Sequence, residues 1–491
     1  MKVNLPVIAF SNGVALCGLA LIMCIPLVYD ILILRGNLIW VFVPSIIACF
    51  FLGGITILSC NLYYAGITLT RQDTFLMVSS LWIVISIFSA FPFYFYNGVK
   101  LSFVSAFFEA TSGITTTGAS IYQDVEILPR ALNLWRLILH FVGGVGIVAL
   151  GIIAFPFMKI GGMQLFLAEN SDRSQKFFSR VSQVAKSFIV TYITIIGFFT
   201  ILLRLAGMGA FDAVCHSISA ISTGGFSTRN LGIKYYNSSQ IELIITCAMF
   251  MGGITFLEII KTIKMRGRYF FKNQQIKGYL KLTSIAVGIT ILVLFLETNT
   301  NLSFKLIISY VFNIISAIST TGFDLPEEFF KEPFFKICIF ILALVGGCSG
   351  STAGGIKIFR IQLLYSILKN QIKKLSNPFE VSMPKYQEKK IDETLITSII
   401  FFLALLCISF VLSIILIAIT SDVSEVTAIS AAISCLFNLG YCINFEEISA
   451  ISKIILSIDM IIGRLEIIPV VAIFSRSFWR LKSERKGDAK I

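Results

Sequence analysis

The stretch GITTTGAS, residues Gly113 to Ser120, lies between two long apolar segments of this chain. Three later stretches have the same form: ISTGGFST at Ile221–Thr228, ISTTGFD at Ile318–Asp324 and CLFNLGY at Cys435–Tyr441. Each follows a short apolar run with a helical pattern, at Phe103–Thr111, Phe211–Ala220, Leu306–Ala317 and Thr427–Ser434. A motif that recurs four times in the same setting indicates an internal repeat.

The remainder of the chain is as apolar as a membrane protein. Of its 491 residues, 56% are hydrophobic and 14% charged, and the mean hydropathy is +0.87, which excludes an ordinary soluble domain. A segment of about 20 apolar residues can cross the roughly 30 Å hydrocarbon layer. Ten such segments lie near residues 7–34, 39–60, 74–95, 133–157, 187–206, 240–261, 281–297, 333–365, 396–419 and 451–474.

The first two apolar segments precede the motifs, and the other eight flank the four motifs in pairs. We therefore predict an all-α polytopic membrane protein with two lead helices and four pseudo-symmetric helix–pore loop–helix repeats around a central ion pathway. The predicted divisions are 1–70 for the lead helices, 71–165, 166–268 and 269–375 for the first three repeats, and 376–491 for the fourth repeat with a basic tail.

The formal net charge of +13 is concentrated between the apolar segments. The basic clusters span Lys159–Lys186, Lys261–Lys281, Lys357–Lys390 and Arg476–Lys490. The positive-inside rule assigns them to the cytoplasmic side, where they meet anionic lipid, so no nucleic-acid partner is expected. Each cluster follows the second span of a repeat or ends the chain. The motifs therefore enter from outside, and both termini are predicted to be cytoplasmic.

The recurring motif has the chemistry of a site for a monovalent cation. Non-helical backbone at membrane depth requires a protein-lined or water-filled cavity, and the negative end of a short helix favours a cation there. A glycine permits the left-handed backbone angles that point successive carbonyl oxygens at one axis. Those oxygens can replace the hydration shell of the cation, as in potassium channels. No tetrad contains a carboxylate, which argues against a divalent ion. Asp324, just beyond the third tetrad, could concentrate cations at the mouth or simply be a solvated loop acid.

Aligning the motifs on Gly118, Gly224, Gly322 and Gly440 gives four candidate filter tetrads. They are Thr116, Thr117, Gly118 and Ala119; Ser222, Thr223, Gly224 and Gly225; Thr320, Thr321, Gly322 and Phe323; and Asn438, Leu439, Gly440 and Tyr441. The fourth departs most from the Thr-Thr-Gly form.

These tetrads, with GGCSGSTAGGIK at Gly346–Lys357 and GRLE at Gly463–Glu466, make the sequence similar to the Trk/Ktr/HKT superfamily of potassium transporters, and to its TrkH/TrkG branch in particular. The resemblance covers nearly the whole chain. It implies K⁺ uptake across the bacterial inner membrane, no cofactor beyond the transported K⁺, a homodimer, and a cytoplasmic nucleotide-binding TrkA-like ring as partner. It places K⁺ at Thr116, Thr117, Ser222, Thr223, Thr320, Thr321, Asn438 and Leu439.

The resemblance leaves the ion preference partly open. In the plant branch, a serine in place of the first filter glycine accompanies Na⁺ preference, whereas this chain has Gly118. K⁺ is therefore expected, with a Na⁺-permeable or Na⁺/H⁺-coupled member of the superfamily as the alternative.

Two features beneath the motifs are candidate gates. A continuous helix is disfavoured at Gly346–Gly355, where each glycine costs about 1 kcal/mol relative to alanine. A pore-closing loop and close helix packing are both open readings of it. The charge of Arg464 lies inside the last apolar segment and requires a partner or water. The resemblance implies an electrostatic barrier below the filter, and an ion pair with Glu466 is the alternative. The gate residues are Gly346, Gly347, Ser349, Gly350, Ser351, Thr352, Gly354, Gly355 and Arg464.

Two other functions are alternatives to ion transport. Gly347–Gly350 matches the GxSG motif of rhomboid intramembrane serine proteases, which requires a histidine base near Ser349. The sequence offers only His140 and His216, both earlier in the chain, whereas rhomboids use a later one. A non-conducting structural subunit is the other rival, and the intact filter glycines count against it.

Overall fold

The computed structural model is almost entirely helical, and it describes most of the chain. The described residues are 3–60, 70–153, 176–264, 270–297, 303–323, 333–377, 383–386, 389–391, 393–441, 444–475 and 478–479. Asp324, the acid just beyond the third tetrad, lies outside them.

Two lead helices begin the fold. Helix α1 spans Leu5–Tyr29 and continues through a π-helical turn at Asp30–Leu34, and α2 spans Ile39–Cys60. The Asp30 carboxylate accepts the backbone N–H of Leu38 at 3.0 Å, which fixes the turn between the two helices. Helix α1 packs on α2 and on the first helix of the first repeat.

Each repeat begins with an outer helix. These are α3 (Arg71–Ser89, extended by the short α4, Phe91–Phe95), α7 (Lys176–Leu205), α11 (Gln274–Glu297) and α15 (Glu393–Thr420). A capping box between Thr70 and Asp73 satisfies the first turn of α3. Asp73 also accepts the N–H of Asn4 at 2.9 Å, which ties the start of the chain to this repeat.

A short pore helix follows in every repeat, close to its predicted place. These are α5 (Phe103–Ile114), α8 (Ala210–Ile221), α12 (Phe304–Ile318) and α16 (Glu425–Leu436). At 12 to 15 residues they are too short to cross a bilayer. Ser102 and Ser424 cap the first and fourth by accepting backbone N–H groups at 3.2 Å.

The return helices differ from one repeat to the next. In the first, α6 (Arg130–Ile153) is continuous; in the others the return is split into α9 (Ser239–Gly252) and α10 (Phe256–Lys264), α13 (Pro333–Val345) and α14 (Ile358–Ser376), and α17 (Ala450–Arg464) and α18 (Ile468–Phe474). The prediction anticipated only the break at Gly346–Gly355. It was wrong in treating 240–261 and 451–474 as uninterrupted, because α9 and α10 meet at 100° and the last return breaks after Arg464.

Seven described helices are long and apolar enough to span a bilayer, and the bent α9–α10 pair makes an eighth. These helices differ in how much of them is buried. In the most apolar 18-residue stretch of α6, 72% of the residues are buried, whereas in that of α15 only 22% are. The outer helices therefore present apolar side chains to lipid around an inner ring of pore and return helices. A two-residue hairpin, Lys385–Tyr386 with Lys389–Lys390, lies between the third and fourth repeats.

Candidate functional site

All four pore helices end in the same hydrogen-bonded turn. A left-handed residue follows each helix, with φ between 51° and 53° at Thr116, Thr223, Thr320 and Asn438. The next residue donates its N–H to the carbonyl of a serine five positions earlier, at 2.8 to 2.9 Å. The four serines are Ser112, Ser219, Ser316 and Ser434. This Schellman-type ending stops the helix and starts the non-helical segment of the candidate filter, called the filter segment.

The turn also fixes which glycine of the second motif corresponds to the filter glycine of the other three repeats. A second left-handed residue follows two positions later, at Gly118, Gly225, Gly322 and Gly440, with φ from 70° to 86°. The alignment on Gly224 was therefore wrong by one residue. The second tetrad is Thr223–Phe226, and Ser222 is the cap residue of its pore helix, whose hydroxyl donates to the Ile218 carbonyl at 2.7 Å.

The register error had a detectable sequence signal. A serine stands six positions before each of Gly118, Gly225, Gly322 and Gly440, but only five before Gly224. That serine supplies the carbonyl that closes the turn, so its spacing reports the backbone register directly.

The four filter segments meet in a closed ring. A side chain added at Gly118 would come closer than 3.0 Å to the carbonyl oxygen of Gly224, and one at Gly225 would meet that of Thr321. The ring continues from Gly322 to the Leu439 carbonyl and closes from Gly440 to the Thr117 carbonyl. Each filter glycine therefore abuts the carbonyl of the next repeat, and the segments share one axis.

A buried ion pair braces the first two filter segments from behind. The Nε of Arg136 on α6 donates to Glu109 on α5 at 2.8 Å, and both side chains are almost fully buried. Glu109 accepts the Ile121 N–H at 2.8 Å, and the Arg136 guanidinium lies 4.1 Å from the ring centre of Phe226. Glu109 is thus engaged within the scaffold, and the pair links the first filter to the second.

The outer loops after the first two filters are also joined. Asn230 donates through Nδ2 to Asp124 at 2.7 Å and accepts the Val125 N–H at 2.7 Å. The Asn230 hydrogen bond holds the pKa of the Asp124 carboxyl below its ordinary value by favouring the charged form. These hydrogen bonds join the loops that follow the first and second filter segments.

The glycine-rich segment is an extended loop directly beneath the ring. It joins α13 to α14, with left-handed backbone at Gly346, Gly350 and Gly355. Its Gly354 N–H donates to the hydroxyl of filter residue Thr320 at 2.6 Å. A side chain at Gly354 would overlap the Phe437 carbonyl. The loop therefore touches the base of the third and fourth filter segments.

Thr352 connects this loop to two other repeats. Its hydroxyl donates to the Ile221 carbonyl, at the end of the second pore helix, at 2.9 Å. Its own carbonyl accepts from Nη1 of Arg464 at 2.7 Å. The two predicted gate elements, the loop and Arg464, are thus in direct contact.

Arg464 is not paired with Glu466, so the ion-pair alternative was wrong. Glu466 forms its ion pair with Arg360 on α14. Left-handed backbone at Glu466 and Ile467, with φ of 62° and 51°, turns the chain after Arg464 and separates the two side chains. Arg464 is only 3% exposed, and no carboxylate among the described residues pairs with it.

The bend between α9 and α10 holds the other end of the loop. Cys348 donates its N–H to the Gly253 carbonyl at 2.9 Å, and the Thr255 hydroxyl donates to the Ser349 carbonyl at 2.7 Å. The N–H of Ser349 donates to Gln275, at the start of α11, at 2.9 Å. Sequence reasoning missed these anchors, although the Gly252–Gly253 pair inside an apolar span was a usable signal.

Neither histidine can serve Ser349 as a catalytic base. His216 bonds to the Asp212 carbonyl and to Ser227, at 2.8 and 3.0 Å, and His140 stacks on Phe226. Both histidines lie against the second filter and its pore helix, whereas Ser349 is held by Thr255 and Gln275 through its backbone. The GxSG match is therefore a sequence coincidence.

Comparison with known proteins identifies similar transport proteins. Residues 39–481 match the family model TrkH, described as "Cation transport protein". The chain is similar to the Trk system potassium uptake protein TrkH of Escherichia coli K12, with 30% identity over 84% of this chain and 87% of that protein. It is 32% identical to TrkG of the same organism, over 85% and 87%.

A solved structure has the same fold. The crystal structure of the potassium transporter TrkH from Vibrio parahaemolyticus superposes with a TM-score of 0.90 at 26% identity, covering 97% of this chain and all of that one. Together with the family model, this agreement extends over the lead helices and all four repeats.

Proposed function

This chain belongs to the TrkH family of cation transport proteins, a family of multi-pass membrane transporters rather than enzymes, and from that premise we propose that it takes up K⁺. The observation that carries the proposal is the closed ring in which every filter glycine abuts a carbonyl of the next repeat. The names of the similar proteins, potassium uptake proteins of the Trk system, support the same ion.

In the proposed filter, main-chain oxygens of the four segments replace the hydration shell of K⁺. The coordinating segments are Thr116–Ala119, Thr223–Phe226, Thr320–Phe323 and Asn438–Tyr441. Each lies at the carboxyl end of a pore helix, whose dipole contributes roughly half an elementary negative charge. The absence of carboxylates from the four tetrads suits a monovalent ion that must also leave.

The proposed gate is the loop at Gly346–Gly355 together with Arg464. The loop lies under three of the four filter segments or their pore helices, and Arg464 adds a buried positive charge at the same level. K⁺ passage then requires the loop to move and the guanidinium to withdraw or be screened. The inward driving force is the membrane potential, worth about 2.3 kcal/mol per charge for each 100 mV.

The wider assembly follows from the family and the charge pattern. We place the protein in the bacterial inner membrane with both termini cytoplasmic, because the basic clusters then lie inside. A homodimer and a cytoplasmic nucleotide-binding ring are proposed as in the Trk system, with the ring acting on the basic segments that follow the return helices.

The test is ion flux into liposomes that contain the purified protein, with K⁺, Rb⁺ and Na⁺ compared under an inside-negative potential. We expect K⁺ and Rb⁺ to enter in preference to Na⁺. Gly118→Ser should shift the preference towards Na⁺, because any side chain at this position displaces the Gly224 carbonyl. Equal K⁺ and Na⁺ entry in the unmodified protein would support the Na⁺-permeable alternative, and flux that requires a Na⁺ or H⁺ gradient would support coupling.

A further inference from the structure

The second filter segment lacks a side chain where the others have one. The second position of the tetrad is Thr117, Thr321 and Leu439 in the first, third and fourth repeats, but Gly224 in the second. In the first and third repeats its hydroxyl bonds to a hydroxyl at the pore-helix end, Thr115 at 2.8 Å and Ser319 at 2.7 Å. These hydrogen bonds attach the filter segment to the end of its own pore helix. Gly224 has no side chain and cannot form such a bond.

The space behind Gly224 is filled by His140, which comes from another repeat. A Cβ on Gly224 would lie closer than 3.0 Å to three atoms of the His140 ring, Nδ1, Cε1 and Cγ. His140 is fully buried on α6, the return helix of the first repeat. The imidazole therefore occupies the volume that the filter's own side chain takes in the other repeats.

His140 also holds the end of the same segment. Its ring stacks on Phe226, the last residue of the tetrad, with centroids 4.3 Å apart and an interplanar angle of 11°. The contact of Nδ1 with the Ser219 hydroxyl is long, at 3.5 Å. No hydrogen-bond partner for Nε2 is found in the described part of the chain. Burying a ring nitrogen without a partner is unfavourable, so its contribution to stability alone does not account for a histidine at this place.

We propose that His140 is a positioning residue for ion selection: its ring replaces the missing side chain of Gly224 and keeps the second filter segment in register with the other three. The carbonyl of Gly224 abuts Gly118 in the ring, so displacement of this segment changes the ring at the junction of the first two repeats. The proposal rests on the proposed function, since it assigns a role within that filter.

The experiment compares three variants in the liposome assay: His140→Ala, Gly224→Thr and the double variant. His140→Ala leaves a cavity behind the second segment, and we expect the K⁺/Na⁺ flux ratio to fall by roughly tenfold while K⁺ still enters. Gly224→Thr places a side chain inside the imidazole and should abolish most flux. The double variant gives the second segment the threonine of the first and third repeats, and should recover flux and most of the selectivity.

The rescue separates this role from a general effect on folding, because both single changes are harmful while their combination is not. Membrane abundance and monodisperse elution are measured for all three variants, and Rb⁺ protection against thermal unfolding gives a second readout if flux is too low. An unchanged flux ratio in His140→Ala, or a double variant no better than Gly224→Thr, overturns the proposal. If the unmodified protein itself does not prefer K⁺, the proposed function has failed instead.

Discussion

The filter and the layer beneath it are built from the same four repeats in opposite ways. In the filter, every repeat supplies the same turn, the same two left-handed residues and the same contact with its neighbour. Beneath it, each repeat does something different: the first return helix is continuous, the second bends, the third opens into a loop, and the fourth ends in Arg464.

This difference fits the two proposed tasks, ion selection in the filter and gating beneath it. A ring of equivalent oxygens needs repetition, because an ion on the axis is coordinated from all sides at once. A gate needs one element that moves against others that hold it. Here the third repeat supplies the loop, and the second and fourth supply its anchors through Thr255 and Arg464.

The largest expected effect comes from a substitution in the filter, where the four repeats are alike. Gly322→Ala introduces a side chain at φ of 79° against the Leu439 carbonyl. The left-handed backbone alone costs about 1–2 kcal/mol, and the overlap displaces the ring. We expect K⁺ uptake to be lost in a K⁺-deficient host while the protein still reaches the membrane.

Gly288→Ala is the matched control for that change. Gly288 lies in α11 with no atom near its virtual side chain, so alanine should leave uptake intact and stabilise the helix by up to about 1 kcal/mol. Normal uptake by Gly322→Ala would contradict the ring of carbonyls.

Removing the charge of Arg464, in the layer beneath the filter, should have the next largest effect. This change should raise flux, whereas the change in the filter lowers it. Two like charges repel by about 4 kcal/mol at roughly 4 Å when the effective dielectric constant is about 20. Arg464→Gln keeps a donor for the Thr352 carbonyl but removes the charge, so flux without the partner ring should rise by about tenfold or more. Single-channel or liposome recordings measure this.

Arg204→Gln serves as the control, because Arg204 is exposed and donates to the Met208 carbonyl in the link between α7 and α8, before the second pore helix begins and not at its filter end. Its flux should equal that of the unmodified protein. Reduced flux in Arg464→Gln with preserved folding would show that the guanidinium supports conduction rather than opposing it.

The smallest expected effect tests the anchor of the loop. Thr255→Val removes one hydrogen bond to the Ser349 carbonyl, worth about 0.5–1.5 kcal/mol. If the loop must leave this anchor for the pathway to open, the substitution destabilises the closed state by the free energy of that hydrogen bond. Flux without the partner should then rise by about two- to tenfold.

Thr246→Val is the same substitution about two turns before the bend, where the hydroxyl donates within its own helix to the backbone carbonyl of Glu242. It should not alter flux. An equal rise in both variants would assign the effect to α9 as a whole and not to the anchor.

The contrast between the two layers also explains which predictions were right. The repeated spans, the four pore helices and the break at Gly346–Gly355 were all evident from patterns that recur or from unusual composition. The bends at 253–255 and 465–467 were missed, because each lies within a segment that is predominantly apolar over its whole length. The Arg464–Glu466 pairing failed because closeness in sequence does not survive the left-handed turn at Glu466.

The sequence by itself determined the apolar spans, the pore helices and the presence of a non-helical, glycine-containing segment after each pore helix, because hydrophobicity and backbone preference act over a few residues. Only the tertiary structure decided the order of contacts around the ring and the anchors of the loop. Those depend on atoms far apart in the chain, such as Asn438 and Thr117, whose side chains bond at 2.9 Å across 321 residues.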